Sequence, residues 1–355
     1  MSDHSGEYLD RLYDEAALAA FLDREVGPGG DLRIEYHQAG HSNETLFVDW
    51  GDRELVLRRP PAGETADAAH DVLREYRVTS ALEATDVPVP TTVAQCEDFD
   101  VIGAEFYLME RLRGNVIREA EPERFADPDQ RRTLSERFID TVADIHTLDP
   151  AAVGLDDLGH PDGYTERQVE RWTKQLEWAF EVTTDDRPVS GLRAVADWLE
   201  ANVPDSYDHT LLHGDYTLDN VMFGPGTPPA LVGVFDWEMS TRGDPLMDLG
   251  WMLGTWYDPK DPAFDDPLGA RIETREGYHS RQQLLDRYER RTGRTFSNER
   301  FYRTFGVFKS ASACEMMYRR YLEGNAENPS YPLMEAYVPA LADRARRIID
   351  GEEPL

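Results

Sequence analysis

Two acidic residues and one amide in the middle of the chain have types and spacings that suit phosphoryl transfer. Residues 213–220 have the sequence HGDYTLDN, and the apolar run 231–235 leads directly to Asp236. Asp215 can reach an acceptor hydroxyl, and Asn220, five residues further on, can turn back toward a metal ion. An Asp after a strand usually only caps a turn, but the combination predicts one base and two metal ligands around a nucleoside triphosphate.

Short apolar segments position these side chains. Residues 211–212 and 221–223 predict two buried strands on either side of the polar loop. Residues 231–235 predict the returning strand of a hairpin. That hairpin would set Asp236 opposite Asn220.

Alternating apolar residues near the start of the chain predict a small antiparallel sheet. After a helix at 8–26, strands are predicted at 32–36, 45–50, 55–58, 91–94 and 106–109, with one helix inserted at 67–82. Five strands with a helix after the third is the element order of a kinase small lobe. The following segment, 110–114, then predicts a hinge, where backbone groups of Glu110 and Leu112 can meet the edge of an adenine.

Most of the remaining chain has helical periodicity. Helices are predicted at 134–146, 164–180, 192–202, 246–256, 281–292, 298–323 and 333–349. The predicted fold class is α+β, a protein-kinase-like bilobal fold with a small five-stranded antiparallel sheet lobe and a larger, mainly helical lobe. The predicted domains are an N-terminal helix and nucleotide-binding small lobe at 1–109, the hinge at 110–114, and a catalytic and substrate lobe at 115–355.

The chain is strongly acidic, and its basic residues are almost all arginine. Its 355 residues carry a formal net charge of -32, and only Lys174, Lys260 and Lys309 among the 37 basic residues are lysines. Such a surface repels itself in dilute buffer, whereas at molar salt the Debye length falls to about 3 Å. A salt-loving host is therefore predicted. No basic face is visible for nucleic acid, and the acids are spread along the chain rather than grouped as in a DNA-mimicking surface.

Cysteine content and hydropathy predict a cytoplasmic protein. Cys96 and Cys314 lie far apart and suggest neither a disulfide framework nor a Cys-x-x-Cys metal site. Residues 1–7 lack a basic and an apolar signal region, and no apolar run approaches the roughly 20 residues of a membrane span. We therefore expect no membrane partner, and a monomer or homodimer.

Longer motifs resemble the aminoglycoside phosphotransferase and choline kinase superfamily. The resemblance is carried by residues 213–220, by FDWE at 235–238 and by GDPLMDLG at 243–250. The kinase-like phosphotransferase domains associated with acyl-CoA dehydrogenases, and their free-standing bacterial and archaeal relatives, are more closely similar. That similarity covers about 32–349 and includes residues 56–61 (VLRRPP), 74–78 (REYRV) and 276–293.

The resemblance implies a role for each motif residue. Asp215 would accept or orient the proton of the acceptor hydroxyl, and Asn220 and Asp236 would hold Mg²⁺ against the triphosphate of ATP, with GTP as the alternative nucleotide. Glu75 would pair with the cation of the third strand. That cation is Arg58 here, where the general kinase pattern has lysine, and arginine can fork onto two phosphate oxygens but differs in length and planarity.

Two further assignments follow from the resemblance alone. Asp248 would brace the catalytic loop by hydrogen bonds, the alternative being an ordinary helix cap. Gly40, Ser42 and Asn43 would contact the triphosphate through backbone N–H groups. Their segment has one glycine and by itself predicts only a hairpin turn.

Acceptor specificity is expected in the helical part, with Trp251, Lys309 and Tyr318 as candidate pocket residues. Most aromatic residues there are expected in the core. Lys309 lies on an apolar helix, so its charge must meet either an acid in the core or an anion of the acceptor. Lys309 and the nearby Arg303 and Arg319 favour a hydroxyacyl or hydroxyacyl-CoA acceptor, the class that the fused relatives also imply.

The sequence therefore predicts an ATP- and Mg²⁺-dependent kinase that phosphorylates a hydroxyl of a small molecule. One alternative is a non-catalytic nucleotide-binding pseudokinase, which Arg58 and the glycine-poor loop favour. Another is a kinase of the aminoglycoside or choline type. Phosphorylation of protein hydroxyls is disfavoured, because no D-F-G to A-P-E activation segment is recognisable.

Overall fold

The computed structural model describes residues 8, 11–37, 43–62, 71–204, 208–261, 271–324, 328–353 and 355. The chain divides into two compact units, Met1–Gly114 with Val232–Ser240, and Asn115–Leu231 with Thr241–Leu355. The sequence placed residues 232–240 in the helical lobe. They join the first unit because the Val234 N–H donates to the Pro88 carbonyl (2.8 Å) and Phe235 packs against the buried side chains of Val56 and Tyr107.

The first unit is built on an antiparallel sheet with the strand order β1-β2-β3-β5-β4. This agrees with the prediction of five strands with one helix after the third. The strands are β1 Leu32–His37, β2 Glu44–Trp50, β3 Arg53–Arg59, β4 Thr92–Cys96 and β5 Phe106–Glu110. The helices are α1 Glu15–Glu25, α2 Val72–Leu82 and the single turn α3 Phe99–Ile102.

The helices of this unit begin later than the sequence predicted. One continuous helix was expected over residues 8–26. Tyr8 is helical, but residues 11–14 are not, and α1 begins at Glu15 because the Asp14 side chain caps it by accepting the Ala17 N–H (2.8 Å). Asp71 caps α2 in the same way. Residues 67–70 of the second predicted helix lie outside the described residues.

The second unit is mainly helical, and every helix predicted for it is present. The helices are α4 Pro128–Thr147, α5 Tyr164–Asp186, α6 Ser190–Ala201, α7 Pro245–Thr255, α8 Arg281–Thr292, α9 Glu299–Leu322 and α10 Met334–Asp350. α4 begins six residues earlier than predicted, because Asp127 caps it and Pro128 is tolerated in the first turn. α9 packs against α5, α7 and α10, which explains why both polar and apolar residues of its first half are buried.

Four short strands lie among these helices along the chain. They are β6 Thr210–Leu212, β7 Val221–Phe223, β8 Leu231–Val234 and β9 Thr241–Gly243. β6 pairs antiparallel with β9, a strand that the sequence did not predict. A sheet-based unit and a mainly helical unit confirm the predicted α+β class. Within the described residues, no helix combines the length and apolar composition needed to cross a bilayer.

Candidate active site

The loop that follows β6 is fixed by contacts on both sides. Gly214 has a φ of 84°, a left-handed conformation that glycine adopts without a steric penalty. Asp248 on α7 accepts hydrogen bonds from the backbone N–H groups of His213 (2.7 Å) and Gly214 (2.9 Å). Tyr216 stacks on the ring of Phe138 and donates its hydroxyl to the Phe138 carbonyl (2.8 Å). The backbone on either side of Asp215 is therefore held by buried groups.

Both oxygens of the Asp215 carboxylate have protein groups nearby. Oδ2 accepts a hydrogen bond from Nδ2 of Asn220 (3.0 Å), which also donates to the Asp215 carbonyl (2.8 Å). Oδ1 lies 3.8 Å from the ammonium of Lys309. The Asp215 side chain is 34% exposed, so a ligand can reach it. The structure thus brings together two of the three residues predicted to be catalytic, and adds Lys309 to them.

Lys309 is buried against aromatic rings. Its ammonium donates to the Gly214 carbonyl (2.6 Å) and lies 3.9 Å from the centre of a Trp251 ring. A Trp172 ring is 5.7 Å away. Burial lowers the pKa of Lys309, and the neighbouring Asp215 carboxylate opposes that shift. Two predicted substrate residues, Trp251 and Lys309, therefore lie beside the Asp215 loop.

Arg58 forms a buried ion pair in the first unit. Its guanidinium lies 3.4 Å from Oε2 of Glu75 and donates to the Thr45 hydroxyl (2.8 Å). Glu75 is buried because it lies on the inward face of α2. Burial by itself lowers the pKa of Arg58, but the carboxylates of Glu75 and Asp236 outweigh burial and raise it. The arginine therefore occupies the position of the strand cation and forms the pair that the resemblance implies.

Asp236 also faces this cation. Its Oδ1 lies 3.8 Å from a guanidinium nitrogen of Arg58, and its side chain is 30% exposed. Its backbone is left-handed, with a φ of 65°, which costs a non-glycine residue roughly 1 kcal/mol. The buried Trp237 steadies the turn by donating its indole N–H to the Val234 carbonyl (3.2 Å). A strained aspartate that follows a strand and meets a cation suits a ligand-binding role.

Of the predicted phosphate loop, only Asn43 is described, and Gly40 and Ser42 lie outside the described residues. Asn43 is buried and donates its amide to Glu238 (3.1 Å). In the predicted hinge, the Glu110 N–H donates to the Thr91 carbonyl (2.8 Å). Among the described residues, no hydrogen bond uses the Leu112 N–H.

Tyr318, the third predicted substrate residue, contacts a different set of residues. Its hydroxyl donates to Asp186 (2.6 Å), and its ring receives the guanidinium of Arg187 at 4.7 Å. It is nine residues further along α9 than Lys309, or about 13 Å at the helical rise of 1.5 Å per residue. None of the contacts described for Tyr318 involves Lys309 or Asp215.

Two buried residues that sequence reasoning did not single out, His146 and Tyr107, contact residues of the candidate site. His146, at the end of α4, reaches Asp248 at 3.5 Å and Tyr288 at 2.9 Å. Tyr107 on β5 interacts with Glu75, and burial together with that carboxylate raises its pKa far above the ordinary value. Apolar periodicity placed both in buried elements, but no spacing signal connects them to partners many residues away.

Comparison with known proteins gives a consistent picture. A family model described as the phosphotransferase enzyme family matches residues 33–284. Acyl-CoA dehydrogenase family member 11 of Rattus norvegicus is 32% identical over 339 residues, which cover 93% of this chain and 42% of that protein. Probable acyl-CoA dehydrogenase IBR3 of Arabidopsis thaliana is 31% identical over 385 residues, covering 100% and 46%. The chain thus spans less than half the length of these relatives.

Solved structures share the fold. A putative aminoglycoside phosphotransferase from Ralstonia eutropha has a TM-score of 0.81 at 30% identity, over 96% of this chain and 99% of that chain. A thermostable mutant of aminoglycoside phosphotransferase APH(4)-Ia, in a ternary complex with AMP-PNP and hygromycin B, has a TM-score of 0.61 at 16% identity, over 94% and 98%. The second likeness concerns the fold alone. The kinase-like fold predicted from the sequence is confirmed.

Proposed function

Since the chain belongs to the phosphotransferase enzyme family, we propose that it transfers the γ-phosphate of ATP to a hydroxyl group of a small molecule. The observation that carries this proposal is the arrangement of Asp215. Its carboxylate is reachable from solvent, its oxygens lie against Asn220 and Lys309, and its loop backbone is held by Asp248. Such preorganisation is what an alcohol-activating carboxylate needs.

Asp215 acts on the acceptor. Its carboxylate orients the acceptor hydroxyl and takes its proton, while the hydroxyl oxygen bonds to the γ-phosphorus and the bond to the bridging oxygen of ADP breaks. The proton then passes to solvent. Because the transition state of such transfers is loose, alignment and charge neutralisation contribute more than covalent help from the protein.

Oxygen donors of Asn220 and Asp236 suit a magnesium ion. Both hydrogen bonds described for the Asn220 side chain use Nδ2, so its amide oxygen is left for a cation. Asp236 offers a carboxylate, and Mg²⁺ prefers such hard oxygen ligands together with phosphate oxygens. We propose Asn220 and Asp236 as its ligands. When bound, Mg²⁺ neutralises charge on the triphosphate.

The first unit supplies the proposed nucleotide contacts. Arg58, oriented by Glu75, binds phosphate oxygens, and its planar fork can hold two of them. Leu112 and Glu110 present backbone groups to the base, and Asn43 follows the proposed phosphate-loop residues Gly40 and Ser42 in the sequence. ATP is proposed over GTP, and competition between the two nucleotides for binding tests that choice.

For the acceptor we propose a hydroxyacyl or hydroxyacyl-CoA compound, and the names of the curated relatives support this class. The cations that favoured it from sequence have protein partners instead. Arg303 pairs with Glu299 (2.8 Å) and Arg319 with Glu323 (2.8 Å), because both acids lie one turn away on or beside the same helix. Substrate class therefore rests on the relatives, whereas aminoglycosides are the substrates that structural neighbours suggest.

The test is a mass-spectrometric screen for phosphorylated products with ATP and Mg²⁺ at high KCl. Acceptors are hydroxy acids, their CoA thioesters, choline-like alcohols and aminoglycosides. We expect Asp215→Asn to reduce transfer to a trace and to leave nucleotide binding nearly intact, and Asp236→Asn to weaken Mg²⁺-dependent nucleotide binding. If Asp215→Asn transferred phosphate at the wild-type rate, Asp215 would not be the catalytic base. Nucleotide binding without transfer to any acceptor would favour the pseudokinase alternative.

We further propose that the protein works in a salt-rich cytoplasm, as a monomer or homodimer. The support is the formal net charge of -32, whose self-repulsion is screened only at high ionic strength. We expect stability and activity to rise together between dilute buffer and molar KCl. Full activity and an unchanged unfolding midpoint without added salt would contradict the proposal.

A further inference from the structure

Lys309 differs from the other two lysines of the chain in its environment. The side chain of Lys174 is 72% exposed and that of Lys309 is 7% exposed, and Lys260 is also exposed. A buried ammonium is expensive unless polar groups satisfy it. In a protein that uses arginine for nearly every cation, a buried lysine in the helical unit indicates a site where a compact charge is needed.

The partners of this ammonium belong to the Asp215 loop and to the helix that braces it. It donates to the Gly214 carbonyl (2.6 Å), lies 3.8 Å from Oδ1 of Asp215, and rests 3.9 Å from a ring centre of Trp251 on α7. Carbonyl, carboxylate and ring give three neighbours to an ammonium that has three N–H groups. Lys309 is therefore engaged with protein groups, and it is not free to act as the main anchor for an anionic acceptor.

Lys309 and Asn220 hold different oxygens of the Asp215 carboxylate. Asn220 donates to Oδ2, and the ammonium of Lys309 lies near Oδ1. Two partners on two oxygens restrict rotation of the carboxylate plane, which a single partner would leave free. The 3.8 Å separation is longer than a hydrogen bond, so Oδ1 can still accept one from an acceptor hydroxyl.

We propose that Lys309 is a positioning residue for phosphoryl transfer, which fixes the direction of the Asp215 carboxylate and ties it to the Gly214 backbone. This role rests on the proposed kinase function. Trp251 supports it by offering an aromatic face to the ammonium, a contact that is favourable when it is desolvated. The acceptor then meets an oriented carboxylate rather than the lysine itself.

The test compares Lys309→Met with Lys174→Met, which removes an exposed lysine paired only with Glu170 in the contacts described. Both are assayed with ATP, Mg²⁺ and 3-hydroxybutyryl-CoA, or with the acceptor class that the wild type phosphorylates. We expect Lys309→Met to lower kcat on the order of 100-fold, as small misplacements of reacting groups do, with KM for ATP unchanged. Lys174→Met is expected to match the wild type.

Stability measurements separate positioning from a purely structural role. Methionine can fill the volume of the buried lysine, but it leaves the Gly214 carbonyl without its donor, so only a modest fall in the unfolding midpoint of Lys309→Met is expected. A large fall in the midpoint with unchanged kcat would overturn the proposal. If Lys309→Met folds poorly, Lys309→Ala assayed with ethylammonium chloride takes its place, and recovery of kcat supports the positioning role. An unchanged kcat on adding ethylammonium to folded Lys309→Ala counts against it.

A double-variant comparison connects the effect to Asp215. Because Lys309 acts through that carboxylate, adding Lys309→Met to Asp215→Asn should lower residual transfer no further. Additive losses would overturn the proposal. If the wild type phosphorylates no acceptor, the kinase function and this role fail together, whereas wild-type transfer with a normal kcat in Lys309→Met removes this role alone.

Discussion

At the residue scale, Asp244 and Asp248 show how two buried carboxylates one turn apart acquire different protonation behaviour. The hydrogen bonds described for Asp244 come from neutral groups: the Tyr302 hydroxyl (2.7 Å), the Thr165 hydroxyl (3.2 Å) and the Leu246 N–H (3.0 Å). Burial raises the pKa of Asp244 to about 6, more than these donors lower it. Its charge is therefore less well stabilised than that of an exposed aspartate.

Asp248 is buried too, yet its pKa moves the other way. Burial by itself raises this pKa, but His146 and the backbone N–H of His213 outweigh burial and lower it. Asp248 consequently stays ionised and can hold the loop that carries Asp215. The difference between the two carboxylates arises from the donors around each, because both are buried.

We expect Asp244→Asn to change how stability depends on pH. The folded-state pKa of about 6 lies above the ordinary 3.8, so the native state binds this proton more tightly than the unfolded state does. Wild-type stability relative to Asp244→Asn should be greatest below pH 3.8 and fall as the pH rises to 6, by about 3 kcal/mol in total. Urea unfolding of both proteins across this window measures the difference, and a constant difference would contradict the assignment.

At the element scale, α7 and α9 carry the residues that hold the candidate loop, and the two helices touch through glycines. A Cβ atom added at Gly250 would lie 2.4 Å from the Tyr302 carbonyl oxygen, and one added at Gly306 would lie 2.5 Å from the Gly250 carbonyl oxygen. Only hydrogen fits at this crossing. The close approach sets the spacing between the helix that presents Asp248 and the helix that presents Lys309.

Gly250→Ala and Gly306→Ala should therefore force the helices apart. We expect each to lower the free energy of unfolding by about 1–3 kcal/mol, the usual cost of overpacking, and to reduce phosphate transfer. Gly254→Ala is the matched control on α7, because its added Cβ would meet no atom closer than 3.4 Å. That control should change stability by less than about 1 kcal/mol, since alanine also favours the helix. Equal losses of unfolding free energy in all three variants would contradict this explanation.

At the scale of the whole molecule, charge is distributed differently inside and outside. The chain has 69 acidic and 37 basic residues, yet Arg281, Arg303 and Arg344 are buried in the second unit. Glu353 is buried among them, 3.0 Å from Arg344 and 3.3 Å from Arg303, with Arg281 at 4.0 Å. Arginine suits these positions because its planar fork is weakly hydrated and can satisfy several acceptors at once.

Removing the acid from this group should leave buried cations uncompensated. We expect Glu353→Gln to lower the free energy of unfolding by about 3–5 kcal/mol. Glu352→Gln is the control, because that neighbouring side chain is exposed and its substitution should cost less than about 0.5 kcal/mol. Denaturant unfolding at one fixed KCl concentration compares them, and a similar small effect from both variants would show that the group contributes little.

The sequence determined the elements and the chemical types at the candidate site. Period-2 and period-3.6 apolar patterns are local, so they located the five strands of the sheet and the seven helices of the second unit within a few residues at most ends. The motifs also identified the family. The predicted start of a helix was wrong where a single capping residue such as Asp14 sets it. The strand β9 was missed because three residues are too short to show an apolar pattern.

Tertiary structure decided which charged groups meet. Lys309 and Gly214 are 95 residues apart, and His146 and Asp248 are 102 apart, so no local pattern could pair them. The sequence left Lys309 with either a core acid or an acceptor anion as partner, and packing of α9 against α7 gave it the Gly214 carbonyl and the Asp215 carboxylate. A buried charge takes its partner from whatever the fold brings within about 4 Å, and long-range packing alone sets that distance.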